Sequence, residues 1–160
     1  MKWILPVMLF LTSMLQAQNK KEPAVQEFTL FMFADDWATV RVNGNEVLFA
    51  AFPETKNTKV NLRKGDIITI SVEDRQGGKG GALRAYLFQG NSAVVTSADF
   101  RYQEAPDRSW MTTPSMFGFK SPQVKKIGNA VLENVKNVEE VWAQPQDQKF
   151  ARLFFKYVMP

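Results

Sequence analysis

Hydrophobic and polar positions alternate along most of this chain, and turn residues interrupt them at short intervals. "EFTLFMF" (27–33) is apolar on both faces, the pattern of a strand covered on both sides. "ATVRVNGNEVLF" follows, with Val40 and Val42 pointing one way and Thr39 and Arg41 the other. Asn43-Gly44 sits in the middle, and both residue types tolerate the positive φ of a type I′ turn, so a hairpin is predicted there. "TKVNLRKGDIITISVED" repeats the theme: Val60 and Leu62 alternate, Lys64-Gly65-Asp66 turns, and Ile68, Ile70 and Val72 share a face. After the glycine-rich "RQGGKGG", "ALRAYLFQG" puts Leu83, Ala85 and Leu87 on one side, and "SAVVTS" is a shorter strand. "KFARLFFKYVM" (149–159) closes the chain as a strand with Leu153, Phe155 and Tyr157 on one face and Phe154 on the other. The strands at 27–33 and 149–158 are the most apolar, so each is expected at the centre of a sheet.

Two segments are less regular. Residues 99–122 carry Tyr102, Trp110, Met111, Met116, Phe117 and Phe119 without a period, and read as a long connection covering one end or face. In "SPQVKKIGNAVLENVKNVEEVWA" the valines stand near helical spacing. Valine is a poor helix former and Gly128-Asn129 makes a turn, so strands are the preferred reading over a helix. The fold class predicted is all-β: an antiparallel β-sandwich, jelly-roll-like, with a long irregular connection around 99–122.

Composition narrows the chemistry. A chain of 160 residues is one domain long. Lys2 followed by "WILPVMLFLTSML" and a small residue at Ala17 reads as a signal peptide over 1–17, too short for a comfortable membrane span. A polar lead-in over 18–24 and a single domain over 25–160 complete the organisation. The expected location is secreted or periplasmic, without stable membrane insertion after cleavage. Absence of cysteine means no disulfide and no lipobox, so the core alone must hold an exported domain together. Absence of histidine removes Ser-His-Asp triads and His-ligated zinc or copper; oxygen ligation of calcium or magnesium remains. The net charge of +4 is spread along the chain, without a basic run suited to nucleic acid.

The stretch "F-x-F-A-D-D-x-A-x-V-x-V-N-G" (31–44) resembles the core motif of the protective-antigen-type lectin-like domains, among the galactose-binding-like β-sandwiches. The resemblance extends loosely over 26–158, through "VNLRKGDIITISVED" and the Trp before the final Phe-rich strand. It implies a binding module for carbohydrate or glycan on a cell surface or matrix component, not an enzyme. It also implies a calcium ion held by the adjacent carboxylates of Asp35 and Asp36. Asn43, Asn45, Asp74 and the carbonyls of Gln76 to Gly81 are further ligand candidates. The physics suits a hard cation, because two neighbouring carboxylates repel unless neutralised. The other reading of the pair is a turn cap that accepts backbone N–H bonds.

Trp37 and Trp110 are candidates for stacking on a sugar face, or else for roofing the core. Glu104 and Asp107 form a glycosidase pair only if folding brings them together. The rival function is an extracellular structural or adhesion protein acting through protein–protein contacts.

Overall fold

A computed structural model describes residues 22–75, 81–127, 135, 138–144 and 151–160. The predicted leader, residues 1–17, lies outside these, as does most of the polar lead-in.

The chain forms an all-β sandwich of two antiparallel sheets. The strands are β1 (Gln26–Ala34), β2 (Trp37–Val42), β3 (Asn45–Ala51), β4 (Lys56–Leu62), β5 (Ile67–Glu73), β6 (Leu83–Gln89), β7 (Ser92–Val95), β8 (Arg101–Gln103), β9 (Gln123–Ile127), β10 (Val138–Trp142) and β11 (Arg152–Val158). One sheet runs β4-β1-β6-β10-β9, with β7 also on β6; the other runs β3-β2-β5-β11-β8. β1 and β11 are both central, as their apolar content demands, but they lie in different sheets rather than side by side. Among its described residues the segment 121–143 supplies two strands, β9 and β10; its residues 128–134, 136 and 137 lie outside the described ones.

Strand alternation builds the core between the sheets. Phe28, Leu30, Met32 and Ala34 from β1 meet Leu83, Ala85 and Leu87 from β6. Val40, Ile68, Ile70, Val72, Leu153 and Phe155 enter from the second sheet. The outward side of β1 is covered separately. Phe31 stands edge-on to Phe88 at 5.2 Å, within a second cluster formed by Tyr86, Phe88 and Val138. This explains why β1 reads as apolar on both faces.

The Asn43-Gly44 hairpin is present, with φ of 50° and 84°, linking β2 to β3. Asn43 also does unpredicted work. Its amide nitrogen donates to Asp66 Oδ1 at 2.9 Å, and its Oδ1 accepts from the Ile67 backbone N–H at 2.9 Å. The hairpin is thereby tied to the turn before β5.

The long connection contains one short edge strand, β8, and then runs as a strap over the outer face of the second sheet. Trp110 packs edge-on against Phe154 at 5.2 Å. Thr112 approaches the Gly44 turn so closely that a Cβ on that glycine would lie 3.2 Å from its methyl group. Lys156, 1 % exposed, donates from Nζ to the carbonyls of Thr113 and Ser115.

Candidate functional site

Cross-strand register sets the chemistry of the second sheet's outer face. Residues opposite one another across β3, β2, β5 and β11 form rows. One row reads Phe49–Thr39–Ser71–Phe154. The row beside it, toward the start of β2, reads Ala51–Trp37–Glu73–Arg152. The row on the other side contains Arg41, Thr69 and Lys156, and the strap's carbonyls are bonded to it there.

The described residues leave the first two rows open. With strands about 4.8 Å apart, the backbones bearing Phe49 and Phe154 are separated by about 14 Å. Between them lie two small hydroxyl residues, Thr39 and Ser71. The result is a trough of about 250 Å³ with aromatic walls, a hydroxyl floor, and Trp37, Arg41, Glu73 and Arg152 around it. Phe49 is 50 % exposed and Trp37 38 %, high values for side chains of this size. Arg75 lays its guanidinium 3.7 Å from the Trp37 ring centroid, which holds the indole in place on one side. The charges at the rim are largely paired: Arg152 bonds Glu73 at 2.8 Å, and Arg41 approaches Glu46 at 3.5 Å.

The residues singled out by sequence divide between this trough and other places. Trp37 lines the trough. Asp35 and Asp36 occupy the β1–β2 connection beside it, where the chain passes from one sheet to the other. Asp36 adopts a left-handed backbone, φ 69°; its Oδ2 accepts the Arg75 backbone N–H and its carbonyl accepts the Phe52 N–H at 2.7 Å. The cap reading therefore has its bonds in place. Asp35 donates its backbone N–H to the Ala82 carbonyl at 2.8 Å. Burial, then the charges of Asp36, Asp74 and Glu140, raises its carboxyl above the usual range. Asp74 is 4 % exposed, with its backbone N–H on the Ala151 carbonyl.

Asn43 lies at the far end of β2, six residues from Trp37, and its amide is spent on the turn before β5. Trp110 is 8 % exposed and buttresses Phe154 from beneath the strap, so it roofs rather than stacks. Glu104 is paired with Lys120 at 2.7 Å, and Asp107 accepts from Ser109; neither lines the trough. No group of three or more acidic, histidine or cysteine side chains able to hold a metal occurs among the described residues. Gln76–Gly80, whose carbonyls are calcium candidates, lie outside them.

Sequence reading missed Phe49, Thr39, Ser71 and Phe154. The alternation places each on an outward face, but only the strand order puts them in one row. A second cleft, near 300 Å³, lies where β9 and β10 meet Gly81, lined by Gln123, Lys125, Glu140 and Trp142 among others. Among the described residues it has no exposed aromatic comparable with Phe49, and Arg84 occupies Glu140 at 2.8 Å.

Comparison of the chain with protein-family models, with curated proteins and with solved structures gives no match.

Proposed function

We propose that this protein is an exported, non-catalytic binding module, and that its ligand is a carbohydrate or glycan held in the trough across β3, β2, β5 and β11. The observation that carries the reading is the row Phe49–Thr39–Ser71–Phe154 beside the exposed Trp37. A sugar ring has an apolar face that packs on aromatic carbon and a rim of hydroxyls that need donors and acceptors. Aromatic walls supply the first, and Thr39, Ser71 and the paired ions Arg152–Glu73 supply the second. A volume of about 250 Å³ falls just below the ~300–1,000 Å³ of drug-sized pockets, which suits one or two sugar rings.

Among the described residues Glu73 is the carboxylate that lines the trough, and it is bound to Arg152. Glycoside hydrolysis by the usual route needs two carboxyl groups flanking one bond, so this lining supports binding over cleavage. Asp35 and Asp36 enter as the support of the β1–β2 connection, which fixes where Trp37 begins its strand.

The test is titration calorimetry against a panel of neutral and acidic mono- and disaccharides, using the wild type, Phe49→Ala and Ser71→Trp. Phe49 is half exposed, so its loss leaves the core intact, and the added indole at 71 fills the floor. Saturable binding by the wild type that both variants lose supports the proposal. Binding that neither variant alters assigns the sugar elsewhere, and concentration-dependent self-association without sugar binding supports the rival adhesion role.

A further inference from the structure

Lysine is rarely fully buried without a carboxylate partner. Lys156 is 1 % exposed in the middle of a β-strand, and its Nζ bonds are to two carbonyls of the strap, Thr113 and Ser115 (the latter at 2.8 Å). Its ammonium also stands 5.2 Å from the Phe119 ring centroid. Burial holds its pKa below the ordinary range, and Asp107 works against that shift. Directly across on β5, Thr69 Oγ1 is buried with no hydrogen-bond partner among the described residues. An apolar side chain would fill this place on the sheet without the desolvation cost, so the ammonium is there for what it holds.

What it holds is the strap. Two residues before Lys156, Phe154 forms one wall of the trough, and Trp110 of the strap stands against that wall. Three residues after Trp110, the strap's carbonyls reach Lys156. We infer that Lys156 is a positioning residue: its ammonium pins the strap, and the pinned strap fixes Phe154, and with it the width of the sugar trough. This inference rests on the trough being the binding site, but its structural half does not.

Hydrogen exchange followed by mass spectrometry on the full chain separates the two halves. The strap's own amides report directly, since Trp110, Thr112, Thr113 and Phe119 donate to Asp107, Ser109 and Met116 within it. In Lys156→Met, peptides covering 107–119 are expected to exchange about tenfold faster or more, the factor that follows from losing one bond to a charged group. Peptides of β1 and β5 should keep their protection. Lys156→Arg, which retains a cation for the same carbonyls, should move exchange back toward the wild type. Should the methionine variant fail to fold, Lys156→Gln takes its place. Strap exchange within about twofold of wild type in Lys156→Met, or in Lys156→Gln where the methionine variant does not fold, overturns the pin.

Sugar affinity decides the second half. A loss of about fivefold or more in the same variant, with Phe49 and Thr39 untouched, is expected from a wall that no longer holds its position. Faster strap exchange with unaltered affinity overturns the link to the trough. If the wild type binds no sugar, the reading of the site fails while the pin is still judged by exchange.

Discussion

Two adjacent carboxylates, Asp35 and Asp36, do opposite things to the fold. Asp36 accepts a backbone N–H from Arg75 and adopts a left-handed conformation that Asp and Asn tolerate better than other residues with a Cβ. Burial of Asp35 disfavours its charged form, and the charges of Asp36, Asp74 and Glu140 add to that. Its pKa is raised above that of the unfolded chain, so the native state binds the proton more tightly. That contribution favours folding at low pH and is lost as pH rises through the folded value. Asp35→Asn is therefore expected to raise the melting midpoint at pH 7, with the advantage closing as pH falls toward the ordinary carboxyl value of 3.8. Asp36→Asn should lower the midpoint at the same pH, because the charge-assisted bond to Arg75 weakens while the backbone is still accommodated. Thermal melts of the two single variants in EDTA check both signs. A pair that served only to hold a cation would gain stability from either change, since each removes a repulsion.

At the scale of elements, the hairpin shows what the sequence makes legible. Asn43-Gly44 between alternating strands specifies a turn by local chemistry alone, and the turn is there. Gly44→Val places a β-branched residue at φ 84° and directs a Cβ to 3.2 Å from the Thr112 methyl group. The expected cost is roughly 1–3 kcal/mol for the backbone strain, read from chemical denaturation. An unchanged midpoint would mean the turn relaxes to another geometry. β1 and β11 were equally legible, because runs such as "TLFMF" and "RLFFKYV" carry their burial in their composition. β8 was not: three residues pairing with the end of a sheet give no period to detect. Nor was the trough. Phe49, Thr39, Ser71 and Phe154 come from four strands, and their meeting depends on the order β3-β2-β5-β11, which no local pattern encodes. Trp110 shows the converse difficulty, since a tryptophan in an irregular segment reads the same whether it roofs a strand or faces a ligand. Packing against Phe154 decides it, and that contact spans 44 residues of chain.

The whole molecule treats its two outer faces differently, and that asymmetry has consequences for both pH and ligand. Over the first sheet, Phe31, Tyr86, Phe88 and Val138 close a second apolar cluster. Over the second, among the described residues, a strap covers one row and leaves two rows open, with a buried ammonium beneath the strap. Lys156 is held below its ordinary pKa by burial, so between the folded value and 10.5 the unfolded chain binds the extra proton and stability rises with pH. Tyr86 and Tyr157, raised by burial above 10.0, act oppositely once the pH passes that value. Melting midpoints should therefore climb toward pH 10 more in the wild type than in Lys156→Met; equal slopes would remove Lys156 from the account. The open face carries the last expectation. A ligand that binds only the folded protein stabilises it by about 2.7 kcal/mol at 100 times its dissociation constant. The gain should be the same with EDTA present, because the trough's contacts are aromatic rings, hydroxyls and paired ions, with Glu73 already bound to Arg152. It should vanish in Ser71→Trp, whose added ring occupies the floor. A gain that disappears in EDTA while Ser71→Trp retains it would instead move the sugar to the connection bearing Asp35 and Asp36, and would make the cation, not the aromatic row, the element that holds it.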